Sequence, residues 1–268
     1  MNIHKKSFNK KGLVEYLHLL QKEGFKMRVW WRDDDVFEAT EELNKLIQFS
    51  EKNGVPVHLS VIPKNLTDNA IDLLKSQNKV TILQHGYSHT NYAKVGEPLN
   101  EYGMNRALDD MLNDIRYGFY KLSEVFGEQF VPIFVPPWGH IAQPVLEQLH
   151  EIGFVGISLI GNNNKTYSSL KNMNTHIDIH SWKTKSENSY DVKMRPFEMI
   201  ADDIIKIITS AKSQKNGHEN IGLLTHSQIM KDNDWEIFTQ LITQLKDADI
   251  EIINWWRDYH LYDQSLTD

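Results

Sequence analysis

The feature that most constrains this chain is an alternation that runs from about residue 27 to residue 254, in which short β-branched apolar runs are each followed by an amphipathic helical stretch. Apolar spacing predicts helices over residues 11–23, 40–52, 66–76, 104–126, 144–151, 196–211 and 235–246, with Gly24, Asn53-Gly54 and Gly127 as stops. Strands are predicted over 27–31, 55–63, 79–83, 131–135, 154–159, 175–179, 222–225 and 250–254, and polar loops over 90–103 and 161–174. Strands separated by helices imply a parallel sheet with helical crossovers. Seven or eight such units favour a closed or nearly closed α/β barrel over an open sheet. A chain of 268 residues fits one barrel, so residues 1–268 are expected to form a single domain, with residues 1–25 as an N-terminal helical extension.

In a parallel barrel, chemistry collects at the carboxyl ends of the strands. Every unusual polar cluster falls there: DDD at 33–35, HGYSH at 85–89, PPWG at 136–139, DIHSW at 178–182 and LTH at 224–226. The run VWWRDDDVF, residues 29–37, is an apolar strand ending in three carboxylates, for which packing alone has no use. His85 and His89 are four apart, a spacing that puts two imidazoles on one face of a helical turn. Two imidazoles and one carboxylate leave coordination positions open for water and substrate, which makes a mononuclear metal hydrolase the working hypothesis. Taken singly, DDD could be an acidic turn or helix cap, and an isolated HxxxH pair is more often incidental than metallic.

Composition narrows the possibilities further. There is no cysteine, so a transition-metal site must use imidazole and carboxylate, and the 12 histidines can supply it. A formal net charge of -7 gives no footing for nucleic acid. No apolar run is long enough to span a bilayer, and the basic amino terminus lacks an apolar continuation, which leads to the expectation of a cytoplasmic protein.

The five clusters in this order resemble the NodB-homology polysaccharide deacetylases, carbohydrate esterase family four, over roughly residues 27–230. The resemblance implies a distorted (β/α)7-type barrel and one divalent metal, with zinc favoured and iron, cobalt or nickel tolerated. It assigns Asp34 as general base and Asp35, His85 and His89 as metal ligands, with a one-residue ambiguity between Asp33 and Asp34. Strand alternation would point Asp33 and Asp35 together and Asp34 the other way, unless the strand bends. VPPWG matches the third motif, with Pro137 and Trp138 at the substrate and the Trp138 backbone N–H on the oxyanion. Val135 stands where the family has the arginine that orients the base; Arg32 or Arg195 could replace it. DIHSW matches the fourth motif, with Trp182 lining the groove. Ser181 occupies the place of the aspartate that orients the acid histidine, for which Asp178 or His180 could compensate. Leu224 and His226 match the fifth motif, the leucine shaping a pocket for the acetyl methyl and the histidine protonating the leaving amine.

The expected function is metal-dependent removal of an acetyl group from an N-acetylated sugar or surface-polysaccharide precursor, a carbon–nitrogen bond other than a peptide bond. Two alternatives stand beside it. One is hydrolysis of another C–N bond, in a ureide or cyclic imide, on the same scaffold. The other is a degenerate homologue that binds sugar or metal without turnover, because two charge partners are replaced.

Overall fold

The structure, a computed structural model, describes residues 12–161, 169–186, 189–213 and 218–258. Residues 1–11 of the expected extension and 162–168 of the expected Asn-rich loop lie outside the described residues. Strands β1 (Lys26–Val36), β2 (Val57–Val61), β3 (Val80–His85), β4 (Phe130–Val135), β5 (Gly156–Ile157), β6 (Lys171–Asn172) and β7 (Ile177–Asp178) precede a hairpin of β8 (His180–Ser186) and β9 (Ser189–Met194). Strands β10 (His218–Thr225) and β11 (Glu251–Ile252) complete the set. The helices are α1 (Gly12–Lys22), α2 (Glu41–Asn53), α3 (Asp68–Lys75), α4 (Leu108–Phe126), α5 (Gln143–Ile152), α6 (Phe197–Ser213) and α7 (Asp232–Asp247).

Nine strands form one curled parallel sheet in the order β6-β5-β4-β3-β2-β1-β10-β7, with β11 also on β1. The architecture is the distorted (β/α)7-type barrel. Its distortion has a simple origin: one segment changes partner midway. Residues 171–175 bond to the β5 side, through Met173 N to Ile157 O and Thr175 N to Leu159 O, and from His176 N to Gly222 O the same segment bonds to β10.

β1 is the axis of the sheet. Along one edge it pairs with β10 over its first eight residues, and along the other with β11 and then β2. Such a strand is covered on both faces and reads as a near-continuous apolar run. Alternation then sorts its residues. Trp31 packs outward between Phe49 of α2 and Phe238 of α7, whereas Trp30 faces inward with Leu83, Ile133 and Val135. Leu13, Leu17 and Leu20 put α1 into the same outer core as α2, α6 and α7.

Local chemistry accounts for several element ends. Thr40 caps α2 by accepting from Leu43 N, and Gly54, at φ 64°, closes it in the left-handed conformation. α4 begins at Leu108 rather than at residue 104, because Ala107 is still extended and Met104 is exposed. The β8–β9 hairpin was not expected from sequence. HSWKTKS and SYDVKM lack a period-two apolar face, so the pattern that reveals the other strands is missing here. No helix among the described residues is long and apolar enough to cross a membrane.

Candidate metal centre and active site

The carboxyl end of β1 splits its three aspartates among three surroundings. Asp33 follows the outward face and is buried, accepting from Thr225 Oγ1, Ser227 N (2.8 Å) and Ser227 Oγ (2.8 Å), so it ties β1 to the turn after β10. Burial pushes its carboxyl up to about 6 despite these donors. Asp34 turns inward. Asp35 departs from alternation: the pairing of β1 with β2 shifts register between Asp33 and Val36, and Asp35 takes φ 72°. The bulge swings its carboxylate into the same cleft as Asp34, and this is the bend that takes Asp35 off the face it would otherwise share with Asp33.

Asp35 Oδ1 lies 3.1 Å from His85 Nε2 and 3.2 Å from His89 Nε2. Ligands at about 2.05 Å in a tetrahedral site stand about 3.3 Å apart, so these three atoms fit a zinc-like ion as they stand. His85 Nδ1–H donates to Val135 O at 3.0 Å, which leaves Nε2 as the free lone pair a metal needs. Burial lowers the His85 pKa, but Asp34 and Asp35 outweigh it and the net direction is upward. His89 is held down at about 4 by burial and by His85. Protons and a cation would compete for this pocket, so metal affinity should rise with pH.

The helical-turn reading of HxxxH is corrected as well. His85 ends β3, whereas His89 lies in an irregular loop at φ 53°. Glu101 holds that loop: its buried carboxylate accepts from Tyr87 N (3.3 Å), Ser88 N (2.8 Å), Ser88 Oγ (2.8 Å) and His89 N (3.1 Å). Sequence reasoning missed Glu101. It sits in a polar stretch, twelve residues past His89, where nothing distinguishes it from a surface glutamate.

Arg32 is 1% exposed and crosses the barrel interior. One arm donates to Asp34 Oδ2 at 2.8 Å, and the other to Ser158 O (3.2 Å) and Ser158 Oγ (2.5 Å). Burial raises the Asp34 pKa, but Arg32, His85 and His226 lower it more, so the carboxylate stays ionised. Asp34 Oδ1 is buried, and Ser60 also helps to hold the carboxylate ionised. Arg195 is committed elsewhere, to Asp203 and Asp178 O.

A cleft of ≈ 330 Å³ collects Arg32, Asp34, Asp35, His85, His89, Trp138, Asp178, Trp182, Tyr190 and His226. Trp138, at φ 55°, packs at a tilt of 48° against His89 with ring centroids 4.3 Å apart. Trp182 packs edge-on against His226 at 4.8 Å and donates its Nε1–H to Asp178 Oδ2 at 2.7 Å. Pro137 and Leu224 are buried but are not among the residues lining this cleft; Pro137 instead packs where a Cβ on Gly86 would fall. Ser181 also stays out of the lining and pairs with Lys193 in the hairpin.

No protein-family model and no curated protein matches the chain. Solved structures do. A protein from Mycobacterium smegmatis, provisionally described as a polysaccharide deacetylase, aligns with 14% identity and a TM-score of 0.65 over 90% of this chain and 92% of that one. The peptidoglycan N-acetylglucosamine deacetylase Bc1960, in complex with 4-naphthalen-1-yl-N-oxidanyl-benzamide, aligns with 16% identity and a TM-score of 0.51 over 87% and 92%. A carbohydrate esterase family four pseudoenzyme from Bacillus anthracis aligns with 12% identity and a TM-score of 0.51 over 84% and 63%. The chain therefore has the NodB-type fold of the polysaccharide deacetylases and family-four carbohydrate esterases. At these identities the likeness establishes the fold, and function has to be argued from the site.

Proposed function

We propose that this chain is a metal-dependent hydrolase that removes the acetyl group from an N-acetylated sugar. One observation carries the reading: Asp35, His85 and His89 converge on one point, beside a second carboxylate held ionised by Arg32, in a cleft that His226 also lines. Asp35, His85 and His89 would hold the ion, and zinc suits a His2Asp donor set with open positions. Bound there, a divalent cation supplies Lewis acidity to a carbonyl and acidifies water.

The chain's own groups account for the proton traffic. Asp34, held ionised by Arg32, takes the proton from the attacking water. The Trp138 backbone N–H donates to the oxygen that gains charge as the tetrahedral centre forms. His226 gives a proton to the departing nitrogen as the C–N bond breaks, so the products are acetate and a free amine. Trp138, Trp182 and Tyr190 give the cleft the aromatic walls on which a sugar ring can lie.

The test combines metal content with acetate release from a panel of N-acetylated sugars. Asp34→Asn should keep the metal and lose about 10²–10⁴ in turnover, while Asp35→Asn loses metal and activity together. If Asp34→Asn lost the metal instead, the roles along the triplet would be misassigned. A second reading, binding without turnover, is favoured by Val135 and Ser181, and one of the structural neighbours is itself a pseudoenzyme. Stoichiometric metal with no release of acetate from sugars, and no opening of ureides or cyclic imides, would select it.

A further inference from the structure

The barrel mouth carries a second convergence of donors, where β7 passes into β8 beside the end of β10. One carboxylate oxygen of Asp178, at the end of β7, and one ring nitrogen each of His180 and His226 all lie within 4.8 Å of one another. His180 is 4% exposed, and neither of its ring nitrogens has a hydrogen-bond partner. The Nδ1 of His226 is likewise buried and unpartnered. Three orphaned imidazole nitrogens in one place are unusual, because a buried polar atom without a partner forfeits the hydrogen bond it would make to water.

A hydrogen-bonded relay does not relieve them. The Asp178 Oδ1 to His180 Nδ1 separation is 3.8 Å, beyond hydrogen-bond range. Asp178 is nevertheless fixed, with Oδ1 accepting from His180 N at 2.8 Å and Oδ2 from Trp182 Nε1 at 2.7 Å, and each oxygen keeps a further lone pair. Two lone-pair nitrogens and an oriented carboxylate oxygen form a donor set suited to a borderline divalent cation.

We propose that Asp178, His180 and His226 form a second divalent-metal site, separate from the one formed by Asp35, His85 and His89. This goes beyond the hydrolase reading, and its donor set does not depend on it.

The experiment is metal stoichiometry on the full chain, stripped with chelator, reloaded by dialysis against zinc, freed of excess and measured by mass spectrometry. Wild type should retain two equivalents, His180→Ala one, His85→Ala one, and the double variant none. Asp178→Asn, which preserves shape, should also drop to one and guards against misfolding of His180→Ala; circular dichroism checks both. A single wild-type equivalent that survives His180→Ala overturns the second site, as do two equivalents retained by both His180→Ala and Asp178→Asn. A single equivalent lost in His180→Ala but kept in His85→Ala would support the second site and remove the metal centre on which the hydrolase reading stands. No bound zinc at all would remove both.

Discussion

At the scale of single residues, the pairing of Arg32 with Asp34 matters most. An arginine two residues before Asp34 on the same strand reaches the same face, so it can pair with the proposed base where Val135 on β4 cannot. The pair is buried, with side-chain exposures of 1% and 4%. Removing one member strands the other charge in a low-dielectric interior, which typically costs 3–5 kcal/mol. Arg32→Met should therefore destabilise by about that amount, and adding Asp34→Asn should recover a large part of it. Urea denaturation of the single and double variants measures the coupling. Simple additivity would mean that the guanidinium acts through Ser158 and packing, not through Asp34. Asp33, occupied by Thr225 and Ser227, should tolerate Asn with its metal content unchanged, because it faces away from the cleft.

At the scale of elements, the irregular pieces carry the site. The barrel was legible because β-branched runs alternating with 3.6-period stretches admit few other folds, and the five polar clusters were legible because a strand end is a poor place for a polar residue without a task. Four features were not. The bulge at Asp35 and the left-handed His89 leave no periodic trace, the β8–β9 hairpin has no apolar face, and Glu101 acts across the loop through backbone N–H groups that belong to no motif. Glu101 should behave as a support for the metal loop: Glu101→Ala is expected to weaken metal binding about 10–100-fold, with Glu101→Gln intermediate because it keeps an acceptor oxygen. Competition titration with a chromophoric chelator reads this directly. Equal affinity in wild type and Glu101→Ala would show that the loop holds its shape unaided. Gly86→Ala should do comparable damage, since φ +54° disfavours a side chain and its Cβ would fall 2.7 Å from Pro137 Cγ and against Glu101 Oε2.

At the scale of the whole molecule, the interior of the barrel is tuned to stay closed near neutrality. His58 on β2 is fully buried, stands edge-on to Trp30 with ring centroids 5.3 Å apart, and donates Nδ1–H to Trp31 O at 3.0 Å. Burial, only partly offset by that hydrogen bond, lowers its pKa from 6.5 to about 4, and burial does the same to His176 on the closing segment. Between pH 4 and 6.5 the unfolded chain therefore binds protons that the folded chain refuses. Stability from each histidine is fully present above about pH 6.5 and is lost as pH falls through about 4, to the extent of about 3 kcal/mol per group. Asp33 works in the opposite sense, because a carboxyl raised to about 6 favours the folded state as pH falls from 6 towards 4. Comparing wild type with His58→Gln isolates one contribution: their difference in unfolding free energy, measured in urea with chelator present, should change by about 1.4 kcal/mol per pH unit across this window, wild type losing more on acidification. Curves that ran parallel from pH 6.5 to 4 would mean that His58 accepts its proton inside the folded barrel, and that the interior is open enough at acid pH to hydrate it.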